Sequence, residues 1–193
     1  MKLYKKLMAA ALAGVMALSL LTGCGSAVNK KEFLDYLNDS KALSRNSNYD
    51  ETGVKTIEEG DSALAKEVLK KVKTYAENHT YENMTTPAAA AQTALASVRD
   101  YDEKNDDYAN IKSIVPKDTK DAYYISYTRV VNYQSKDGKN ASDAMTAQRM
   151  PTPVQLNKIE DRTTLGDKAV VSIANETIGG EVFLVVVYVQ AAK

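Results

Sequence analysis

The stretch that most constrains the fold lies near the end of the chain, where residues 182–189 form a run of eight apolar residues. All of them are β-branched or aromatic apart from Leu184, a composition typical of β-strands. A strand with one face in water alternates apolar and polar residues, whereas an unbroken run indicates a strand covered on both faces. We therefore expect helices on one face of this strand, and loops, another helix or a partner on the other.

A terminal hairpin follows from the residues around this run. Residues 168–175 and 181–190 have the composition of two strands, and Gly179 and Gly180 between them are typical of a tight turn. Residues 140–167 are ambiguous: the pattern leaves open a short strand up to Arg149, followed by a proline-containing loop.

A row of tyrosines marks a further strand. Residues 123–133 alternate with period two, which places Tyr123, Tyr127 and Tyr133 on one face and Tyr124 on the other. Such a row can be a stacking surface for sugars or peptides, because aromatic rings supply rigid contact area. It can equally be core packing beneath helices, which is the interpretation we favour.

Three helices are predicted before the sheet. The first is capped by Asn29, and the second covers residues 62–77, where the apolar side chains fill an arc of about 140°. The third begins at Thr86 and Pro87, a cap residue followed by proline. The polar residues 39–60 predict a long loop. The predicted fold class is therefore α+β: about three N-terminal helices packed on a mainly antiparallel sheet of three to four strands, ending in a C-terminal hairpin.

The N-terminal stretch has the pattern of a secretory signal. Three lysines lie within the first six residues, and residues 7–21 carry no charge. This apolar stretch is shorter than the roughly 20 residues of a transmembrane helix. The residues that follow, Leu21, Thr22, Gly23 and Cys24, resemble the lipobox of bacterial lipoproteins. The resemblance implies that Cys24 is acylated through its sulfur and becomes the first residue after cleavage.

These features predict the domain organisation. Residues 1–23 are a lipoprotein signal peptide, residues 24–28 a lipidated tether, and residues 29–193 a single globular extracytoplasmic domain. The expected location is the extracytoplasmic face of a bacterial cell membrane, with the membrane itself as a partner through the lipid on Cys24.

Composition narrows the class of partner. Without residues 1–23 the chain has 22 basic and 25 acidic side chains, a net charge of −3. A nucleic-acid-binding protein presents a basic footprint, so we expect no nucleic-acid partner. Cys24 is the only cysteine, and once acylated it leaves the domain without a disulfide.

The sequence contains no recognisable catalytic or metal-binding motif. His79 is the only histidine, which excludes a two-histidine metal site within one chain, and we expect it at the surface near a helix end. The acidic residues between Asp100 and Asp107 do not fit a calcium loop, because Asn105 stands where glycine belongs and Ile111 where the last ligand belongs. A solvated acidic turn is the interpretation we favour. We predict no catalytic residue, no metal and no cofactor.

One family resemblance bears on the fold. The terminal sequence AVVSIANETIGGEVFLVVVYV, residues 169–189, resembles the closing strands of bacterial CAP (cysteine-rich secretory protein-like) domains. The resemblance implies a cleft with two histidines and two acidic residues. Since His79 is the single histidine and lies far from the hairpin in sequence, a CAP-like site would be degenerate here.

The sequence leaves two candidate functions open. The first is a non-enzymatic binding or scaffolding module of the cell envelope, whose partner is an unidentified envelope protein or glycan. The alternative is a degenerate CAP-like domain or an envelope enzyme with an unrecognised acid-based site. Clustered carboxylates with raised pKa values in a cleft would favour the alternative.

Overall fold

A computed structural model describes residues 30–45, 51–79, 86–99, 106–130 and 150–193 of the chain. These residues form four α-helices, five strands and two short 3-10 segments, Ser97–Arg99 and Arg162–Thr164. The helices are α1 (Lys30–Asp39), α2 (Ala63–His79), α3 (Pro87–Ala96) and α4 (Asp106–Lys112). The strands are β1 (Thr56–Glu59), β2 (Ala122–Val130), β3 (Val154–Gln155), β4 (Leu165–Ile178) and β5 (Glu181–Ala192).

The strands form one mixed sheet in the order β1-β4-β5-β2-β3. The central strand β5 pairs antiparallel with both β4 and β2, and β3 pairs antiparallel with β2. The edge strand β1 runs parallel to β4. The predicted α+β class with a C-terminal hairpin is confirmed, with four helices where about three were expected and five strands where three to four were expected.

The two faces of β5 belong to two separate clusters of buried side chains. Phe183, Val185 and Val187 pack in the cluster beneath α2, α3 and α4, whereas Leu184 and Val186 pack in the cluster that includes α1. All five side chains have no exposed surface. The strand is thus covered on both faces, as its apolar run predicts. The three predicted helices do not share one face of the sheet. The helix α1 lies on the opposite face from α2 and α3.

The tyrosine strand is core. Tyr123 and Tyr127 are 7% and 5% exposed within the cluster beneath α2, α3 and α4, and Tyr124 is fully buried on the opposite face. The packing interpretation is therefore confirmed for these three residues. Tyr133 lies outside the described residues.

The strand β1 corrects the prediction of a continuous loop over residues 39–60. It is only four residues long, and Ile57 is its one buried side chain, so no alternation marks it in the sequence. Its order comes from its neighbours: it pairs with β4, and the Asn38 side chain bonds the backbone of Ile57 twice. The Ile57 N–H donates to Asn38 Oδ1 at 2.8 Å, and Asn38 Nδ2 donates to the Ile57 carbonyl at 2.9 Å.

The helix α4 corrects part of the predicted acidic turn. Asp106 and Asp107 form its first turn, where negative charge interacts favourably with the helix dipole. The rest of the acidic cluster, residues 100–105, lies outside the described residues.

Caps explain where α2 and α3 begin. At the start of α2, the Ala63 N–H donates to Asp61 and the Ala65 N–H donates to the Ser172 hydroxyl of β4 at 3.0 Å. At the start of α3, the Thr86 hydroxyl accepts from the Ala89 N–H at 3.2 Å. Thr86 is the capping residue that the sequence predicts, whereas Ser172 is a cap supplied by the sheet.

The turn between β4 and β5 requires its two glycines. Gly179 and Gly180 have φ values of +59° and +83°, the signs of a type I′ hairpin turn. A Cβ atom on Gly179 would lie 2.6 Å from the Ala88 nitrogen, so the hairpin tip packs directly on the start of α3.

We expect Val185→Lys and Val186→Lys each to lower the free energy of unfolding by several kcal/mol, because each buries an unpaired charge on one face of β5. Val170→Lys on β4 is the matched control, since Val170 is 44% exposed and should change stability by no more than about 0.5 kcal/mol. Chemical denaturation of the three variants measures this. A loss below about 0.5 kcal/mol at position 185 or 186 would contradict the two-sided core.

Candidate functional site

The segment that follows α1, residues 40–45, is called the α1 turn here. Its start closes the helix with two nested bonds: the Ala42 N–H donates to the Leu37 carbonyl at 3.0 Å, and the Lys41 N–H donates to the Asn38 carbonyl at 3.1 Å. This pattern places Lys41 in the left-handed conformation, with φ of +51°. Glycine is the usual residue at such a position, because it has no Cβ to crowd the backbone.

Two clefts border the α1 turn. The first, the β1 cleft, has a volume of about 550 Å³ and lies between the turn and residues 53–57. The second, the Tyr188 cleft, has a volume of about 300 Å³ and lies between the turn and residues 150–153. Lys41, Ser44 and Arg45 line both clefts, so the same three side chains face two concave surfaces.

Gln190 of β5 anchors the segment that pairs with the α1 turn. Its side-chain amide donates to the Thr52 carbonyl at 2.8 Å and to the Gly166 carbonyl at 2.6 Å, and its oxygen accepts from the Tyr124 hydroxyl at 3.1 Å. Thr52 in turn donates through its hydroxyl to the Leu43 carbonyl within the turn. Because Gln190 and Thr52 are both buried, this network fixes the turn against the sheet.

The opposite wall of the Tyr188 cleft is attached to β2. The Ser126 hydroxyl donates to the Pro151 carbonyl at 2.7 Å, and the partly buried Met150 packs on the same core cluster as α1. Both walls of the cleft are therefore held by strands of the sheet.

Tyr188 lines this cleft while remaining only 1% exposed. Burial raises the pKa of its hydroxyl, so the group stays a neutral hydrogen-bond donor. Among the residues that the structure describes, that hydroxyl has no hydrogen-bond partner. The hydroxyl oxygen itself is not enclosed, and it reaches the open space of the cleft. The cleft is thus where water or a ligand can meet this donor.

Positive charge dominates the rim of the clefts. Lys41, Arg45 and Lys55 contribute cations, while Glu51 lies 3.8 Å from Arg45. Lys55 has its own partner outside the clefts, Asp167, at 3.5 Å. Both ion pairs are exposed and long, so each contributes little to holding its side chains in place.

The residues singled out in the sequence lie elsewhere. Cys24 is outside the described residues. His79 ends α2, partly buried, with its ring stacked 3.8 Å from that of Tyr75 and its Nδ1 2.9 Å from the Tyr75 carbonyl oxygen. Among the described residues, no three His, Cys, Asp or Glu side chains are grouped as metal ligands.

Sequence reasoning missed the residues of the clefts. Lys41 follows a helix end, where a lysine is ordinary, and nothing local shows that its backbone is left-handed. Tyr188 lies in the apolar run of β5, a position at which an aromatic ring is expected to be part of the hydrophobic core. Only its hydroxyl, the one polar group in that run, was a usable signal.

Comparison of the chain with models of protein families, with curated protein sequences and with solved structures gives no match. No helix within the described residues is long and apolar enough to cross a membrane.

Two tyrosines paired across β2 and β5 test the state of the Tyr188 hydroxyl. Tyr188→Phe removes a donor without a partner, so we expect the free energy of unfolding to change by less than about 0.5 kcal/mol or to rise. Tyr124→Phe, the matched control, leaves Gln190 short of a donor and should destabilise by about 1–3 kcal/mol. Chemical denaturation compares the two, and equal losses would mean that Tyr188 has a structural partner.

Proposed function

We propose that the chain is a membrane-anchored extracytoplasmic lipoprotein of the bacterial cell envelope that acts as a non-enzymatic binding or scaffolding module. The observation that carries this proposal is the lipobox-like sequence at residues 21–24, which follows a basic start and an uncharged apolar stretch. Acylation of Cys24 would supply the anchor, with each buried CH₂ contributing about 0.8 kcal/mol.

The position of α1 supports a domain held close to its membrane. The helix begins at Lys30, six residues after Cys24. A fully extended chain of six residues spans about 20 Å at most. In the proposed arrangement, the start of α1 therefore stays within about that distance of the lipid.

The chemistry of the clefts supports binding over catalysis. Their described lining residues supply cations and hydroxyl donors, and Glu51 is the one carboxylate among them. That carboxylate pairs with Arg45. The described lining residues include no histidine and no pair of carboxylates, the groups that acid–base catalysis most often uses, whereas cations and hydroxyl donors suffice to hold a ligand. An envelope protein or a glycan remains the proposed class of natural partner.

We expect Cys24→Ala to abolish lipid incorporation and to leave unprocessed precursor, because the sulfur is the proposed acylation point. Metabolic labelling of bacteria with a palmitate analogue measures this. Ser26→Ala, two positions beyond Cys24, is the control and should keep its label. Undiminished label in the Cys24→Ala protein would contradict the anchor.

A further inference from the structure

The stability of the fold does not explain why position 41, which has a left-handed backbone, is a lysine and not a glycine. A non-glycine residue in the left-handed conformation is less stable than glycine by about 1–2 kcal/mol. A cation near the end of a helix recovers about 0.3–1 kcal/mol of this through the helix dipole. The Lys41 ammonium has no hydrogen-bond or ion-pair partner among the described residues. Strained backbone positions often occur at binding sites, and here the strained residue also places this ammonium group next to a cleft.

The Tyr188 hydroxyl is a second, independent observation at the same place. It belongs to a side chain that is 1% exposed, it lines the cleft that Lys41 also lines, and it has no partner among the described residues. A ligand that accepts its hydrogen bond would take the place of the water that this donor can meet in the cleft.

Arg45 adds a planar donor group to the same wall. Its contact with Glu51 is long, 3.8 Å, and exposed, so breaking it costs little free energy and a ligand can bind the guanidinium instead. Guanidinium groups match the oxygens of phosphate and carboxylate groups with paired hydrogen bonds, and a lysine adds a point charge.

The helix end does not oppose an anion here. The carbonyl groups of Tyr36, Leu37 and Asn38 in the last turn of α1 already accept bonds from the N–H groups of Ser40, Ala42 and Lys41, respectively. These three carbonyl groups are therefore already hydrogen-bonded and are not left unpaired beside the cleft.

We propose that the Tyr188 cleft binds a phosphate-type oxyanion, with Lys41 and Arg45 as its counter-charges and the Tyr188 hydroxyl as a donor. This inference rests on the proposed binding function and names its ligand chemistry. Two sources supply such a group: the headgroup of an anionic phospholipid and a soluble phosphate ester. A cleft of about 300 Å³ is at the small end of the range of ligand pockets, which suits a group of this size.

The test uses the full-length chain in a non-ionic detergent, titrated calorimetrically with glycerol phosphate, and the same chain in a binding assay with vesicles. The vesicles are pure phosphatidylcholine or phosphatidylcholine with one quarter phosphatidylglycerol. Lys41→Gln should weaken binding of the anion about tenfold, since a charge-assisted hydrogen bond is lost. Tyr188→Phe should weaken it about fivefold. Lys41→Arg should retain it.

Lys66→Gln, which removes an exposed lysine of α2 on the other side of the sheet, is the matched control and should bind like the parent. Binding of glycerol phosphate that depends on Lys41 supports a soluble phosphate ester as the source. Dependence on Lys41 only with phosphatidylglycerol vesicles supports a lipid headgroup. Equal losses for Lys66→Gln and Lys41→Gln, or no effect of Lys41→Gln with either probe, would overturn the proposal. The glycerol phosphate titration does not require acylation of Cys24, so failure of the anchor and failure of this site give different results.

Discussion

The burial of β5 on both faces is the constraint on which the rest of the structure depends. A strand whose every side chain between Phe183 and Tyr188 is closed to solvent needs a layer on each side. The chain meets this requirement by placing α1 on one face and α2, α3 and α4 on the other. β4 and β2 flank the strand and satisfy its backbone groups.

The same strand also builds the candidate site. Two residues near its end, Tyr188 and Gln190, point to the face that α1 covers. Tyr188 lines the smaller cleft, and Gln190 bonds the Thr52 carbonyl and thereby holds the α1 turn in place. The positively charged turn is therefore attached to the central, buried strand of the sheet, and a scaffold of this kind can position the side chains of a loop.

Local patterns were enough to predict the elements whose order is local. The apolar run of β5, the glycine pair of the hairpin, the amphipathic α2 and the Thr86-Pro87 start of α3 each have a signal within a few residues. The strand β1 has none, because it is ordered by Asn38, 19 positions away, and by its pairing with β4. The placement of α1 across the sheet likewise depends on contacts that no period in the sequence records.

The candidate site could not be predicted from the sequence, because it too depends on contacts between distant residues. Its geometry depends on the bond between Gln190 and Thr52, which are 138 positions apart, and on the left-handed backbone of Lys41. The bond between Ser172 and Ala65 joins residues 107 positions apart and shows the same kind of dependence for α2. The proposed anchor at Cys24 differs in this respect, because it is inferred from a short linear motif that needs no folded context.

Native-state hydrogen exchange of the amides of β5 tests the central claim most directly. If the strand is the shared interior of both layers, the amides between Phe183 and Tyr188 exchange only through global unfolding, with a free energy of opening equal to that from chemical denaturation. Amides near the ends of α1 and α2 should exchange through smaller openings. Exchange of the β5 amides at a lower free energy than those in the middle of α2 would contradict the account, because one face of the strand would then open on its own.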